Sequence, residues 1–261
     1  MYQEYWELED RPFENTPDCR FLYPSQNHRD ALQKLLFTIA GEKGCAMLTG
    51  EYGCGKTILI RTLLNQLDST DYEIALINYP VFDRQEFLRE ILVQFGNETD
   101  ATGRVDLFRE MTGFFYDKIS EGKKSILVID EAQLLEDAEV FEELRLLLNM
   151  QLEDRFLVSV LLVGQPELRE KVMRHPPLDQ LVSVKTHLHR FDLEDTVQYV
   201  KHRLRVAGCE KEIFNEEALY LVYRFSNGVP RRINNVADMC LLEGFAREVK
   251  EIDGPLFERL V

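Results

Sequence analysis

Residues Gly50-Glu51-Tyr52-Gly53-Cys54-Gly55-Lys56-Thr57 follow the pattern G-x-x-x-x-G-K-T. A short, mostly apolar run from Cys45 to Thr49 precedes them, and Ile58 to Leu64 reads as a helix after them. Strand, glycine turn and helix are the context in which this pattern holds a polyphosphate. Glycines let the backbone wrap the phosphates so that successive N–H groups point inward. The helix start adds its partial positive charge. Lys56 then reaches the β- and γ-phosphates, and the Thr57 hydroxyl ligates magnesium. The candidate phosphate contacts are Gly50, Glu51, Tyr52, Gly53, Cys54, Gly55, Lys56, Thr57 and Ile58. The plain alternative is a glycine turn that happens to precede a lysine, and the presence of every fixed position of the pattern weighs against it.

A second group of chemically capable residues follows the β-branched run Ser125-Ile126-Leu127-Val128-Ile129, which ends in Asp130-Glu131-Ala132-Gln133. Carboxylates at the carboxyl end of a buried parallel strand sit where α/β sheets bind ligands. Asp130 suits the outer side of a magnesium held by Thr57. Glu131 suits the orientation and deprotonation of an attacking water. Adjacent acids also occur as ordinary loop residues, but here they share a chain with a phosphate loop. Two polar residues end other strands. Gln165 closes the run Phe156 to Gly164 and would reach the same sheet edge, near the γ-phosphate, if its strand is inserted beside the loop strand; it also fits as a helix cap before Pro166. Asn78 ends the run Glu73 to Ile77 and is placed to hold Glu131 in an inactive orientation, or to do nothing.

These groups need a scaffold. Strand-like runs at 45–49, 73–78, 125–129, 156–163 and 181–188 alternate with helix-like stretches at 27–39, 83–95, 105–120 and 139–152, and with a short helix from Pro166 to about Pro176-Pro177. Nearly continuous apolar strands alternating with helices mean a parallel sheet covered on both faces. After Phe191 the strand signal vanishes, and 193–206, 216–225 and 230–248 read as helices. The expected organisation is an α/β nucleotide-binding domain over 1–190 and a helical lid domain over 191–261. Residues 1–26, broken by Pro12, Pro17 and Pro24, are expected to be irregular, with their aromatics packed on the first domain.

The chain has 261 residues and a formal net charge of −15. That charge argues against a surface built to grip nucleic acid, which needs clustered cations. The five cysteines include no C-x-x-C pair, so neither a disulfide framework nor a zinc site is indicated. The N-terminus is polar, aromatic and acidic, unlike a secretory signal. No apolar run is long enough to span a bilayer. The expectation is a cytoplasmic protein without an integral membrane segment, reaching the inner membrane only through a partner.

The chain resembles the AAA+ ATPases of the general-secretion type, called ExeA or GspA. The resemblance begins with Met1-Tyr2, Tyr5-Trp6, Pro12-Phe13, Thr16-Pro17-Asp18 and Arg20-Phe21-Leu22-Tyr23, then Ser25, His28 and Ala31-Leu32. It continues through the phosphate loop, Asp130 to Gln133, Leu144-Arg145-Leu146-Leu147-Leu148-Asn149 and Leu162-Val163-Gly164-Gln165-Pro166-Glu167-Leu168. It closes with His202-Arg203-Leu204, Ala207-Gly208 and Gly228-Val229-Pro230-Arg231-Arg232-Ile233-Asn234. It implies a P-loop fold with sheet order 5-1-4-3-2, ATP or ADP with Mg2+, and an ATP-dependent homo-oligomer. It also implies Gln165 as the first sensor of the γ-phosphate, Asn78 as the partner that switches Glu131, and Arg231 as the second sensor. A guanidinium on a lid helix can touch the γ-phosphate and report its loss. A surface arginine at a helix start would instead oppose the dipole.

The sequence departs from the family in two respects. Relatives continue into a membrane segment and a peptidoglycan-binding region, and this chain carries only the ATPase portion. The stretch Leu178 to Ser183 lacks the arginines relatives place there, leaving Arg174 as the candidate for a neighbour's ATP. The expected function is an ATPase that couples hydrolysis to lid movement and to remodelling of an oligomer or of a protein partner in secretion or envelope assembly. The alternatives are a nucleotide-gated interaction switch with little hydrolysis, and a DNA-dependent regulator of the transposition kind.

Overall fold

The computed structural model describes residues 2–153 and 155–260; Met1, Asp154 and Val261 lie outside the described residues. In chain order the elements are α1 (Tyr2–Trp6), α2 (Gln26–Ala40), β1 (Cys45–Gly50), α3 (Lys56–Leu64), β2 (Tyr72–Asn78), α4 (Arg84–Gln94) and α5 (Arg104–Ser120). They continue with β3 (Lys124–Asp130), α6 (Ala138–Leu148), β4 (Val158–Gly164), α7 (Pro166–Met173), α8 (Pro176–Asp179) and β5 (Val182–Leu188). The last are α9 (Leu193–Val206), α10 (Glu216–Ser226), α11 (Pro230–Ala246) and α12 (Gly254–Glu258). The chain divides into two compact units: His28–Glu51 with Leu63–Leu188, and Met1–Asn27 with Tyr52–Thr62 and His189–Val261.

The first of these units is built on a parallel sheet in the order β2-β3-β4-β1-β5, the order the resemblance implied. Every residue of β1 and β4 is buried, as strands flanked on both sides and covered on both faces must be. The edge strands β2 and β5 alternate buried and more exposed positions. Met47, Phe87, Phe115, Leu127, Leu144 and Leu162 belong to one apolar core of strand and helix side chains. α4 begins with a capping box, in which Asp83 accepts from the Glu86 N–H and Glu86 accepts from the Asp83 N–H. α6 ends at Leu148 rather than continuing to 152, because the chain turns there into a bridge between Gln151 and Phe156. The expected single helix after Pro166 is two, α7 and α8, divided before Pro176, whose ring leaves no N–H for a continuing helix.

The second unit gathers α9, α10, α11 and α12 with the N-terminal segment. Trp6, Phe13 and Phe21 share one core with Tyr199, Ile233 and Leu241. The expectation that 1–26 packs on the nucleotide-binding domain is therefore corrected: its aromatics complete the core of the helical unit. Nor is the segment wholly irregular, since α1 and a 3-10 turn at Cys19–Phe21 lie within it. Trp6 Nε1 donates to the Leu241 carbonyl at 2.9 Å, and Tyr5 Oη donates to the Val249 carbonyl at 2.6 Å. A Cβ on Gly244 would lie 2.7 Å from Trp6 Cζ2, so this helical position has room only for glycine. Buried Arg203 ties the segment down, donating to the carbonyls of Pro12 and Glu14 and to the Tyr199 hydroxyl.

Candidate nucleotide site

In the sheet unit, strand register places the polar strand ends. Asn78 is opposite Asp130, Ile129 is opposite Leu162, and Gly164 is opposite Thr49. The carboxyl ends of β2, β3, β4 and β1 thus present Asn78, Asp130, Gln165 and Gly50 along one edge, in that order. Ligands of open α/β sheets bind outside this edge. Asp130 is buried, with one carboxylate oxygen accepting from the Glu131 N–H at 2.9 Å. Glu131 is half-buried and has the left-handed backbone conformation, φ 53° and ψ 35°, uncommon for a residue with a side chain. Asn78 is exposed, and its side chain makes no hydrogen bond among the described residues.

One residue of this edge was missed as a functional candidate. Gln133 Nε2 donates to Glu131 Oε2 at 2.5 Å, and Gln133 Oε1 accepts from the Gln165 N–H at 3.0 Å. The signal was present in the string Asp130-Glu131-Ala132-Gln133, but the pair meets only because a 3-10 turn, Ala132–Leu134, follows the left-handed Glu131. Arg174 caps α7 and is exposed.

In the helical unit, the phosphate-loop residues from Tyr52 onward lead into α3. Gly53 and Gly55 adopt φ of 84° and 94°, conformations glycine enters without a steric cost. The Leu59 N–H bonds the Gly55 carbonyl at 3.0 Å, so the helix hydrogen bonding reaches back into the loop. Lys56 and Cys54 are buried, Thr57 and Ile58 are half-buried, and Tyr52 is exposed. Arg231, near the start of α11, meets this loop twice. Its N–H donates to the Gly53 carbonyl at 3.3 Å, and its guanidinium donates to the Tyr52 hydroxyl while lying over the Tyr52 ring. A Cβ on Gly53 would come within 2.9 Å of Arg231 Cβ, so this approach also depends on glycine.

Taken one by one, the two side chains expected to meet magnesium carry the kind of atom it favours. Thr57 and Asp130 offer hard oxygens, and no group of three or more His, Cys, Asp or Glu that could hold a metal occurs among the described residues. Magnesium is characteristically held by one or two protein oxygens together with phosphate oxygens and water, not by an all-protein cage.

An AAA domain family model matches residues 39–172. General secretion pathway protein A of Aeromonas hydrophila is 38% identical over 251 residues, which span 95% of this chain and 45% of that protein. The chain therefore covers less than half the length of that curated relative. Among solved structures, the ORC2 protein of Aeropyrum pernix, described in ADPNP–ADP complexes, matches with a TM-score of 0.70 at 17% identity, over 97% of this chain and 71% of that one. Cdc6p of Pyrobaculum aerophilum matches with a TM-score of 0.71 at 15% identity, over 94% and 68%. The RuvB Holliday junction branch migration motor of Thermotoga maritima matches with a TM-score of 0.58 at 16% identity, over 90% and 68%. At these identities the structural likeness speaks for the fold alone.

Proposed function

The chain belongs to the AAA domain family and is related to general secretion pathway protein A; from that premise we propose that it binds and hydrolyses Mg·ATP. The observation that carries this reading is the approach of Arg231 to the glycine loop through both main chain and side chain. A phosphate loop alone needs no such cation. One contacted by an arginine of α11 has the means to report the γ-phosphate to the helical unit.

Lys56 binds the β- and γ-phosphates, helped by the N–H groups from Gly50 to Ile58. Thr57 and Asp130 would hold a magnesium ion, which would supply positive charge against the phosphates. Glu131 orients a water and takes its proton as the water attacks the γ-phosphorus. Gln165 hydrogen-bonds that water or the phosphate, Asn78 borders Glu131, and Arg231 senses the γ-phosphate and moves the lid helices when it leaves. We assign the nucleotide-binding role to residues 28–190 and the lid role to residues 191–261, with the N-terminal segment completing the core of the lid.

The lid movement acts on an ATP-dependent homo-oligomer or on a protein partner. The name of the Aeromonas relative favours a secretion or envelope-assembly partner at the cytoplasmic face of the inner membrane. Among the described residues no helix is long and apolar enough to cross a membrane. Arg174 is the arginine offered to a neighbour's ATP. Light scattering with and without ATP on the Glu131→Gln variant tests the assembly; an unchanged mass with bound ATP contradicts it.

A second reading, a nucleotide-gated switch with little hydrolysis, is favoured by the absence of arginine between Leu178 and Ser183. Turnover that rises steeply with protein concentration supports the motor. Assembly on ATP with negligible turnover supports the switch.

A further inference from the structure

We propose that Gln133 is the positioning residue of Glu131 and the link between it and Gln165. This rests on Glu131 being the general base of ATP hydrolysis. The Gln133 side-chain amide is engaged at both ends, one by a carboxylate and the other by a main-chain N–H. Its Nε2 donates to Glu131 Oε2 at 2.5 Å, and its Oε1 accepts from the Gln165 N–H at 3.0 Å. A main-chain N–H can only donate and an ionised carboxylate can only accept, so the orientation of the amide is determined by its surroundings.

The support beneath Gln133 is equally specific. Lys171, on α7, donates to the Gln133 carbonyl at 2.6 Å and to the Leu135 carbonyl at 2.9 Å. The Leu134 N–H bonds the Glu131 carbonyl at 2.8 Å, closing the turn on the left-handed residue. Gly164 leaves the space that Gln133 fills, since a Cβ there would lie 2.6 Å from Gln133 Oε1. A non-glycine residue in the left-handed region is uncommon and persists where its surroundings over-determine it. Here those surroundings end on the Glu131 carboxylate.

Asn78, which the resemblance pairs with Glu131, is exposed, and its side chain makes no hydrogen bond among the described residues. Gln133 holds one carboxylate oxygen and leaves the other for water. Because Gln133 also accepts from the main chain of Gln165, a shift at the end of β4 moves the carboxylate. Gln133 touches no substrate in this scheme; it acts through Glu131.

Two variants separate positioning from mere support. Gln133→Glu keeps an acceptor for the Gln165 N–H and loses the donor to Glu131. Gln133→Met keeps the bulk and loses both bonds. Each is expected to lower kcat by about 10- to 100-fold with the KM for ATP unchanged, as a displaced catalytic group does. In the Glu131→Gln background, Gln133→Met is expected to cause no further loss in single-turnover hydrolysis, because the group it positions is already gone. Wild-type kcat in both variants, or the same fold-loss in the Glu131→Gln background as in the native one, overturns the proposal. If the native chain binds ATP and never hydrolyses it, the general-base reading fails and this role falls with it. Native turnover with indifferent Gln133 variants removes Gln133 alone.

Discussion

The Arg231 guanidinium lies over the ring of Tyr52, with Cζ 5.0 Å from the ring centroid, and donates a hydrogen bond to the Tyr52 hydroxyl. Tyr52 stands at one of the unspecified positions of the G-x-x-x-x-G-K-T pattern, so an arginine of α11 rests directly against that loop. Cation–π contacts at exposed sites are worth about 0.5–1 kcal/mol. An anionic γ-phosphate competes easily with that. The expected consequence is that Arg231→Ala weakens ATP binding by about 10- to 100-fold, the loss of one hydrogen bond to a charged group. ADP binding should change little. Titration with both nucleotides checks this, and equal losses for ATP and ADP would reduce Arg231 to a general support of the loop.

Glu131→Gln is expected to preserve Mg·ATP affinity and to lower turnover by about 100- to 10,000-fold, the usual span for removal of a general base. Phosphate release at saturating ATP, measured beside nucleotide binding, separates the two effects. Undiminished turnover would move the base to another residue.

The N-terminal segment should melt with the helical unit and not before it. The protein has a single tryptophan, Trp6, so its emission reports this core alone. Gly244→Ala drives a methyl against Trp6 Cζ2, and overpacking of this kind costs about 1–3 kcal/mol. A lower Tm together with red-shifted tryptophan emission is expected. An unchanged spectrum would mean that the ring does not rest on this glycine.

Acid should weaken the same unit through His202. Burial, and then the nearby Arg205 and Arg203 charges, lower its pKa from 6.5, opposed by a hydrogen bond with the Leu22 backbone. Its Nε2 is buried without a hydrogen-bond partner among the described residues. The depressed value means that the unfolded chain binds the proton more readily than the folded one. Stability is therefore fully present above the unfolded value and is lost as pH falls through 6.5 toward the folded value. His202→Gln should flatten the stability-against-pH curve in that window, as followed by denaturant titration. A curve of unchanged slope would assign the acid sensitivity elsewhere.

How much of this was legible depended on the range of the signal. β1, β3 and β4 announce themselves because inner parallel strands are apolar on both faces, and the residues that end or directly follow them, Gly50, Asp130 and Gln165, inherit positions from the sheet. The sheet order came with the family resemblance, since a string of residues carries no direct record of which strands lie side by side. α1 spans only five residues, too short for a helical period, and was read as irregular. Aromatic side chains such as Trp6 and Phe13 advertise burial without naming the surface that buries them, which is why their segment was placed on the wrong core. Gln133 escaped because its contact with Glu131 depends on a left-handed residue and a 3-10 turn, neither of which leaves a periodic trace.

The central claim is that the Gly50–Thr57 loop holds a magnesium-bound adenine nucleotide. Calorimetric titration of the native chain with Mg·ATP and Mg·ADP, repeated on Lys56→Ala, addresses it most directly. Saturable heat approaching one nucleotide per chain, lost or severely weakened in Lys56→Ala, is the predicted result. No heat from either nucleotide on the native chain, or binding indifferent to Lys56, would contradict it.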